Sequence, residues 1–117
     1  MKKVYYLKTC STCVRILKEW NLSSDFVLQD IKNEEITVEQ LEEMKQLAGS
    51  YEALFSKRAK LYKELDLKNK SLTESHYKQY ILEHYTFLSR PVLLYNNQIF
   101  IGNSKKLTQQ AKEAIDG

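Results

Sequence analysis

Cys10 and Cys13 are the only cysteines in the chain, and they stand as Cys10-Ser11-Thr12-Cys13 within KKVYYLKTCSTCVRILKEW. Two thiols at this spacing can form a redox couple, supply half of a metal site, or simply pack together. A cysteine where a strand ends and a helix starts meets unpaired backbone N–H groups and the positive end of the helix dipole, and both favour the thiolate. Cys10 occupies that place, so its pKa is expected below the free value of about 8.5. Cys13 follows one helical turn later on the same side, where it can resolve a mixed disulfide or be attacked itself. Packing beneath the helix is its plainer alternative, because it shares a face with Ile16, Leu17 and Trp20. Lys8 adds a cation near Cys10, and Thr9, Ser11 and Thr12 add hydroxyls able to bond sulfur or an oxyanion. An anion bound here would be held mainly by backbone amides.

Arginine is used sparingly, at positions 15, 58 and 90 in a chain rich in lysine. Its planar, permanently charged fork suits an oxyanion or a thiolate. Arg90 precedes Pro91, the one proline, and an X-Pro bond opening a strand opposite the cysteine loop is a candidate for a cis peptide. Each of the three arginines also has a plain alternative as a surface ion-pair partner, Arg15 foremost, then Arg58, and Arg90 last. Zinc normally takes four ligands, and the only further soft candidates are His76 and His84, so no metal is expected. His84 reads as a core or rim residue, His76 as a solvated one. The tyrosines follow helical and strand spacing and read as packing with wet hydroxyls.

The elements that must position these residues alternate in period. Lys3 to Leu7 reads as a strand, and Cys13, Ile16, Leu17 and Trp20 fall on one face of a helix. Phe26-Val27-Leu28 reads as a second strand, giving a βαβ unit with parallel strands. Thr37-Val38-Glu39-Gln40 fits a capping box opening a helix with Val38, Leu41, Met44 and Ala48 inward. Gly49 ends it, and Tyr51 to Leu67 suggests one or two short helices. Ser71-Leu72-Thr73-Glu74 offers another capping box, followed by Tyr77, Tyr80, Ile81 and His84 on one face. Pro91–Tyr95 and Gln98–Ile101 flank Asn96-Asn97, a two-residue hairpin turn. Ser104 opens a last helix with Leu107, Ala111 and Ile115 inward. The order βαβ, inserted helical segment, ββα, with Cys-x-x-Cys at the first strand-to-helix junction, is an α/β thioredoxin-like plan with a mixed central sheet.

Composition agrees with one domain over 1–117, its helical insertion at about 37–88. The chain has 43% apolar and 28% charged residues, one proline and three glycines, which is ordinary globular usage. A net charge of +3, spread without a dense basic tract, gives no reason to expect direct nucleic-acid binding. No apolar run reaches the roughly 20 residues of a membrane span, and MKKVYYLK does not continue as a signal peptide. A cytoplasmic location without membrane association is expected, and there a close cysteine pair is more often catalytic or redox-sensing than structural.

The stretches YYLKTCSTCVRILKEW, LFSKRAKLYKEL and LSRPVLLYNNQIFIG together resemble the arsenate reductase (ArsC) family, including its Spx branch of redox-responsive transcription regulators. The resemblance covers nearly the whole chain. It implies a thioredoxin-like fold with a helical insertion, a nucleophile matching Cys10, and an anion-binding arginine matching Arg90 before a cis-proline matching Pro91. Glutaredoxin-coupled arsenate reductases of the family carry three arginines about the nucleophile. Here Ser56 and the Gly102-Asn103 region stand at the other two positions, leaving an arsenate dianion to one arginine, one lysine and a backbone nest. Arg58 is similar to the arginine of the S-x-R-S stretch of the Spx branch, which also has the CxxC.

The expected function is that of a thiol-dependent redox enzyme. Cys10 thiolate attacks arsenate, a disulfide or a glutathione adduct, Arg90 and loop amides stabilise charge, and Cys13 or an external thiol resolves. Beyond an external thiol such as glutathione, or a glutaredoxin- or thioredoxin-type protein partner, no cofactor is expected. The alternative is a Spx-like regulator that docks on RNA polymerase through a Cys10–Cys13 switch.

Overall fold

In the computed structural model, which describes residues 2–117, the β-branched and aromatic run Lys2–Tyr6 forms β1. The chain continues through α1 (Ser11–Trp20), β2 (Val27–Asp30), α2 (Val38–Ala48), α3 (Lys60–Glu64), α4 (Glu74–Glu83), β3 (Val92–Tyr95), β4 (Gln98–Ile101) and α5 (Lys105–Asp116), with short 3-10 turns between α2 and β3. This is the thioredoxin-like α/β order. It divides into two compact units, residues 2–35 with 90–117, and Ile36–Ser89.

The first unit is built on a four-stranded sheet in the order β2-β1-β3-β4. β1 runs parallel to β2 and antiparallel to β3, and β3 pairs antiparallel with β4, so the sheet is mixed. Asn96 and Asn97 join β3 to β4 with φ of 51° and 60°. Positive φ at both central residues is the turn whose twist matches a two-residue hairpin, and Asn accepts it at low cost. On one sheet face Val4 and Leu93 pack with Ile16 and Trp20 of α1, Phe26, and Ala111 of α5, with Tyr6, Tyr95, Phe100 and Ile115 at the margin. Trp20 Nε1 donates to Thr108 O at 3.1 Å, and Lys112 Nζ donates to the Trp20 carbonyl at 3.3 Å, fixing the end of α1 against α5. Truncating Trp20 to Ala would cost about 3–5 kcal/mol.

The bounds of the second strand shift in this unit. β2 occupies Val27–Asp30 rather than Phe26–Leu28, because its register sets Lys3 to Tyr6 opposite Val27 to Asp30. It is an edge strand, so Val27 and Leu28 stay exposed while Gln29 is buried, its amide donating to Glu34 O at 3.0 Å.

The second unit is helical and its centre is aromatic. Phe55 stacks on Phe87 with centroids 5.0 Å apart and meets Tyr77 at 4.9 Å. A bridge between Phe55 and Leu88 is flanked by Ser56 N→Phe87 O at 2.7 Å and Ser89 N→Leu54 O at 2.8 Å. α2 opens on the expected capping box, Thr37 Oγ1 accepting from Gln40 N and Gln40 Oε1 from Thr37 N, both at 3.1 Å. Leu41 and Met44 are buried, whereas Val38, in the first turn, is exposed. α4 is capped by Thr73, with His76 as its reciprocal partner, instead of Ser71. The Glu74 carboxylate accepts from Tyr51 N at 2.7 Å and Glu52 N at 3.1 Å, tying the 3-10 turn Glu52–Leu54 to α4. Among the described residues no helix is long and apolar enough to cross a membrane.

Candidate active site

The site lies where β1 hands the chain to α1. Cys10 N donates to Leu7 O at 3.0 Å, closing a turn with Lys8 and Thr9 at its centre, and Val14 N donates to Cys10 O at 3.1 Å as α1 begins. Cys10 is therefore the N-cap of α1, with φ −94° and ψ 110°, and as a thiol it closes no capping bond. Lys8 and Thr9 are exposed in the turn, Ser11 is the exposed first residue of α1, and Thr12 is half-buried.

Both cysteines are free thiols, Cys10 half-buried and Cys13 fully buried. Burial works against the Cys10 thiolate, but the Cys13 amide, the Cys13 thiol, the Arg90 charge and the Thr12 amide outweigh it and hold the thiol below its ordinary value. Cys13 responds oppositely. Burial, reinforced by the negative charge and hydrogen bond of Cys10, pushes it from 9.0 up to about 11, with Leu7 and Arg90 acting in the other direction. The two thiols are thus shifted in opposite directions, and Cys10 ionises before Cys13.

Arg90 is half-buried, and the Arg90–Pro91 peptide is cis, as the sequence suggested. Pro91 is buried, and its carbonyl accepts from Gly102 N at 2.9 Å. Gly102 has φ 94°, a backbone that favours glycine, so the chain reaches Asn103 by a turn beside Pro91. Cys10, Cys13 and Arg90 are thereby brought together in the sheet-containing unit. Arg58 belongs to the helical unit, exposed in the turn before α3, as is the half-buried Ser56.

His76 serves as the reciprocal partner of Thr73, its Nδ1 accepting from Thr73 N at 2.9 Å. His84 is exposed at the end of α4 with its ring edge on Phe87, so the expected core or rim role is a rim one. Arg15 pairs with Glu19 at 3.0 Å on the exposed face of α1. Among the described residues no group of three or more His, Cys, Asp or Glu side chains could hold a metal ion.

One residue near the site escapes sequence reasoning. Asp30, the last residue of β2, accepts from the Lys8 amide through Oδ1 at 3.2 Å. Its only sequence signal is an acidic residue closing the second apolar run.

The ArsC family model matches residues 5–111. Similar solved structures include an arsenate reductase from Vibrio cholerae (22% identity, TM-score 0.71, covering 97% of this chain and 98% of that one). An arsenate reductase (ArsC) related protein from Brucella melitensis is 18% identical, with TM-score 0.70 and coverage of 93% and 92%. SACOL0876 from Staphylococcus aureus COL is 25% identical, with TM-score 0.71 and coverage of 94% and 97%. No curated protein matches the sequence.

Proposed function

Because the chain belongs to the ArsC family, we propose that it is a thiol-dependent redox enzyme in which the Cys10 thiolate is the nucleophile. The observation that carries this reading is the opposed pair of thiols, Cys10 held low and Cys13 held high, beside Arg90. The Cys10 thiolate attacks a disulfide or glutathione adduct R–S–S–R′, forming Cys10–S–S–R and releasing R′–S⁻. Arg90 and the first amides of α1 stabilise the charge that moves along the sulfurs.

The second step follows from the first. Once Cys10 is bonded to sulfur its negative charge is gone, and with it two of the influences that keep Cys13 protonated. Cys13 then loses its proton to solvent and attacks Cys10 Sγ, giving the Cys10–Cys13 disulfide and R–S⁻. Two electrons have passed from the cysteines to the substrate. An external thiol such as glutathione, or a glutaredoxin- or thioredoxin-type protein, returns them. Cys13 is buried, so its attack is internal.

Arsenate is the substrate class that the family suggests. Cys10 thiolate would displace an oxygen of arsenate as water, and a second thiol attacking the sulfur of that adduct would release As(III) with two electrons. At the positions of two family arginines this chain has Ser56 and Gly102-Asn103, which favours disulfide over arsenate. A Spx-like regulator docking on RNA polymerase would use the same couple as a switch.

The test is the pH dependence of iodoacetamide alkylation at Cys10, read by mass spectrometry with and without arsenate. A midpoint below the ordinary thiol value supports the redox reading, and protection by arsenate makes arsenate the substrate. An unshifted midpoint removes Cys10 from the nucleophile role. Turnover of a glutathione mixed disulfide separates enzyme from regulator: a low midpoint without turnover, together with RNA polymerase captured on the oxidised protein, favours the switch.

A further inference from the structure

We propose that Asp30 is the positioning residue for Cys10: its carboxylate, at the end of β2, clamps the turn that delivers the nucleophile to the N-terminus of α1. This rests on the redox reading above. β1 and β2 run parallel and their last residues, Tyr6 and Asp30, are register partners, with Ile31 N donating to Tyr6 O at 3.0 Å. Beyond this point the strands have no further ladder, and the Leu7–Cys10 turn leaves β1 with Lys8 and Thr9 exposed between a buried Leu7 and a half-buried Cys10. The Asp30 side chain continues the connection that the backbone ends. Its Oδ1 accepts from Lys8 N at 3.2 Å, at the first central position of that turn.

The carboxylate is itself held from behind. Asn33 Nδ2 donates to Oδ2 at 2.7 Å and Lys32 N approaches Oδ1 at 3.4 Å, while the Asp30 carbonyl accepts from Glu34 N at 2.8 Å and Asn33 N at 3.1 Å. A side chain fixed by the turn that follows its own strand makes a rigid anchor for the loop it touches. The turn in turn sets the direction from which Cys10 enters α1, and so whether its sulfur meets the Thr12 and Cys13 amides and Arg90. The titratable and charged groups acting on Cys10 are Cys13 and Arg90. Asp30 does its work through the Lys8 amide, and touches no reacting atom.

A negative charge near a thiolate would by itself disfavour it, so the clamp and the charge predict opposite signs. Asp30→Ala removes both. Asp30→Asn keeps an acceptor oxygen for Lys8 N–H and removes the charge, and its new NH2 is met by the Asn33 side-chain amide once that amide turns over to present its oxygen. The experiment compares Cys10 alkylation by iodoacetamide against pH in the wild type, D30A and D30N. The clamp predicts that D30A raises the midpoint by about 0.5 to 1 unit, which slows alkylation ~3- to 10-fold below it, and that D30N returns it close to wild type. A fall in both variants, an unmoved midpoint accompanied by a lower Tm, or a rise that D30N fails to reverse overturns the proposal. Amide exchange of Lys8 in the wild type, followed by NMR, decides the matter if D30A does not fold: protection supports the clamp and free exchange overturns it. An unshifted midpoint in the wild type would instead sink the redox reading, and Lys8 protection would still report on the clamp.

Discussion

The N-termini of α1 and α2 solve the same problem differently. At α2 the hydroxyl of Thr37 and the side chain of Gln40 occupy the free donors, and Glu39 adds a negative charge in the first turn. At α1 the cap is Cys10, no side-chain capping bond is made, and no acidic residue stands in the first turn. A helix without an oxygen cap forgoes about 1 kcal/mol. Its first amides and its dipole then act on whatever negative charge arrives, which at Cys10 is the thiolate sulfur. α2 spends its free donors on stability, and α1 leaves them open to the Cys10 sulfur.

Cys10→Ser should separate these two properties most widely. Under the proposed redox reading it deletes the nucleophile, and it installs an oxygen cap, so turnover of a glutathione mixed disulfide drops to background while unfolding free energy in urea rises by up to about 1 kcal/mol. A variant both inactive and less stable would break the contrast. Arg90→Leu comes next: with the cation gone the Cys10 alkylation midpoint moves up, and alkylation below it slows. No movement would take Arg90 out of the site.

Cys13 makes a prediction about alkaline stability. Its native pKa is raised from 9.0 to about 11, so the folded chain keeps a proton that the unfolded chain releases. The contribution is therefore complete below the unfolded value and declines as pH rises toward and through the folded one. Between these two values Cys13→Ala should lose less stability than the wild type, by up to about 2 kcal/mol, in urea titrations compared by slope rather than level. Equal slopes would mean that Cys13 is not held neutral by folding. The smallest effect belongs to Thr37→Ala, about 1 kcal/mol off the stability of the helical unit with the Cys10 profile unchanged. A shift in that profile would show that α2 and α1 are not independent in the way their caps suggest.

Much of this arrangement is legible from residue type and spacing. The strand-to-helix placement of Cys10, the placement of Cys13 one helical turn later, the cis Arg90–Pro91 bond and the Asn96-Asn97 turn all depend on local chemistry, and each appears where the chain pattern puts it. What is less legible depends on register. Phe26-Val27-Leu28 has the stronger apolar signal, yet pairing with β1 shifts β2 toward Gln29 and Asp30 and leaves Val27 and Leu28 facing water at the sheet edge. The Asp30–Lys8 bond spans 22 positions and exists only because two parallel strands end side by side, which no local window reveals. The cap of α4 is a subtler case: Ser71 and Thr73 are both acceptable, and it is His76, three residues after Thr73, that reaches back to complete the pair.

Trp20 is the only tryptophan in the chain, and it sits at the last turn of the helix that Cys10 begins, buried to 2% exposure with its indole N–H bonded to Thr108 O. Its fluorescence is consequently a reporter confined to the unit that carries both thiols. Emission can be followed in the same cuvette while those thiols are alkylated, oxidised or titrated, and an unmoved spectrum certifies that the reactivity being measured belongs to the folded helix.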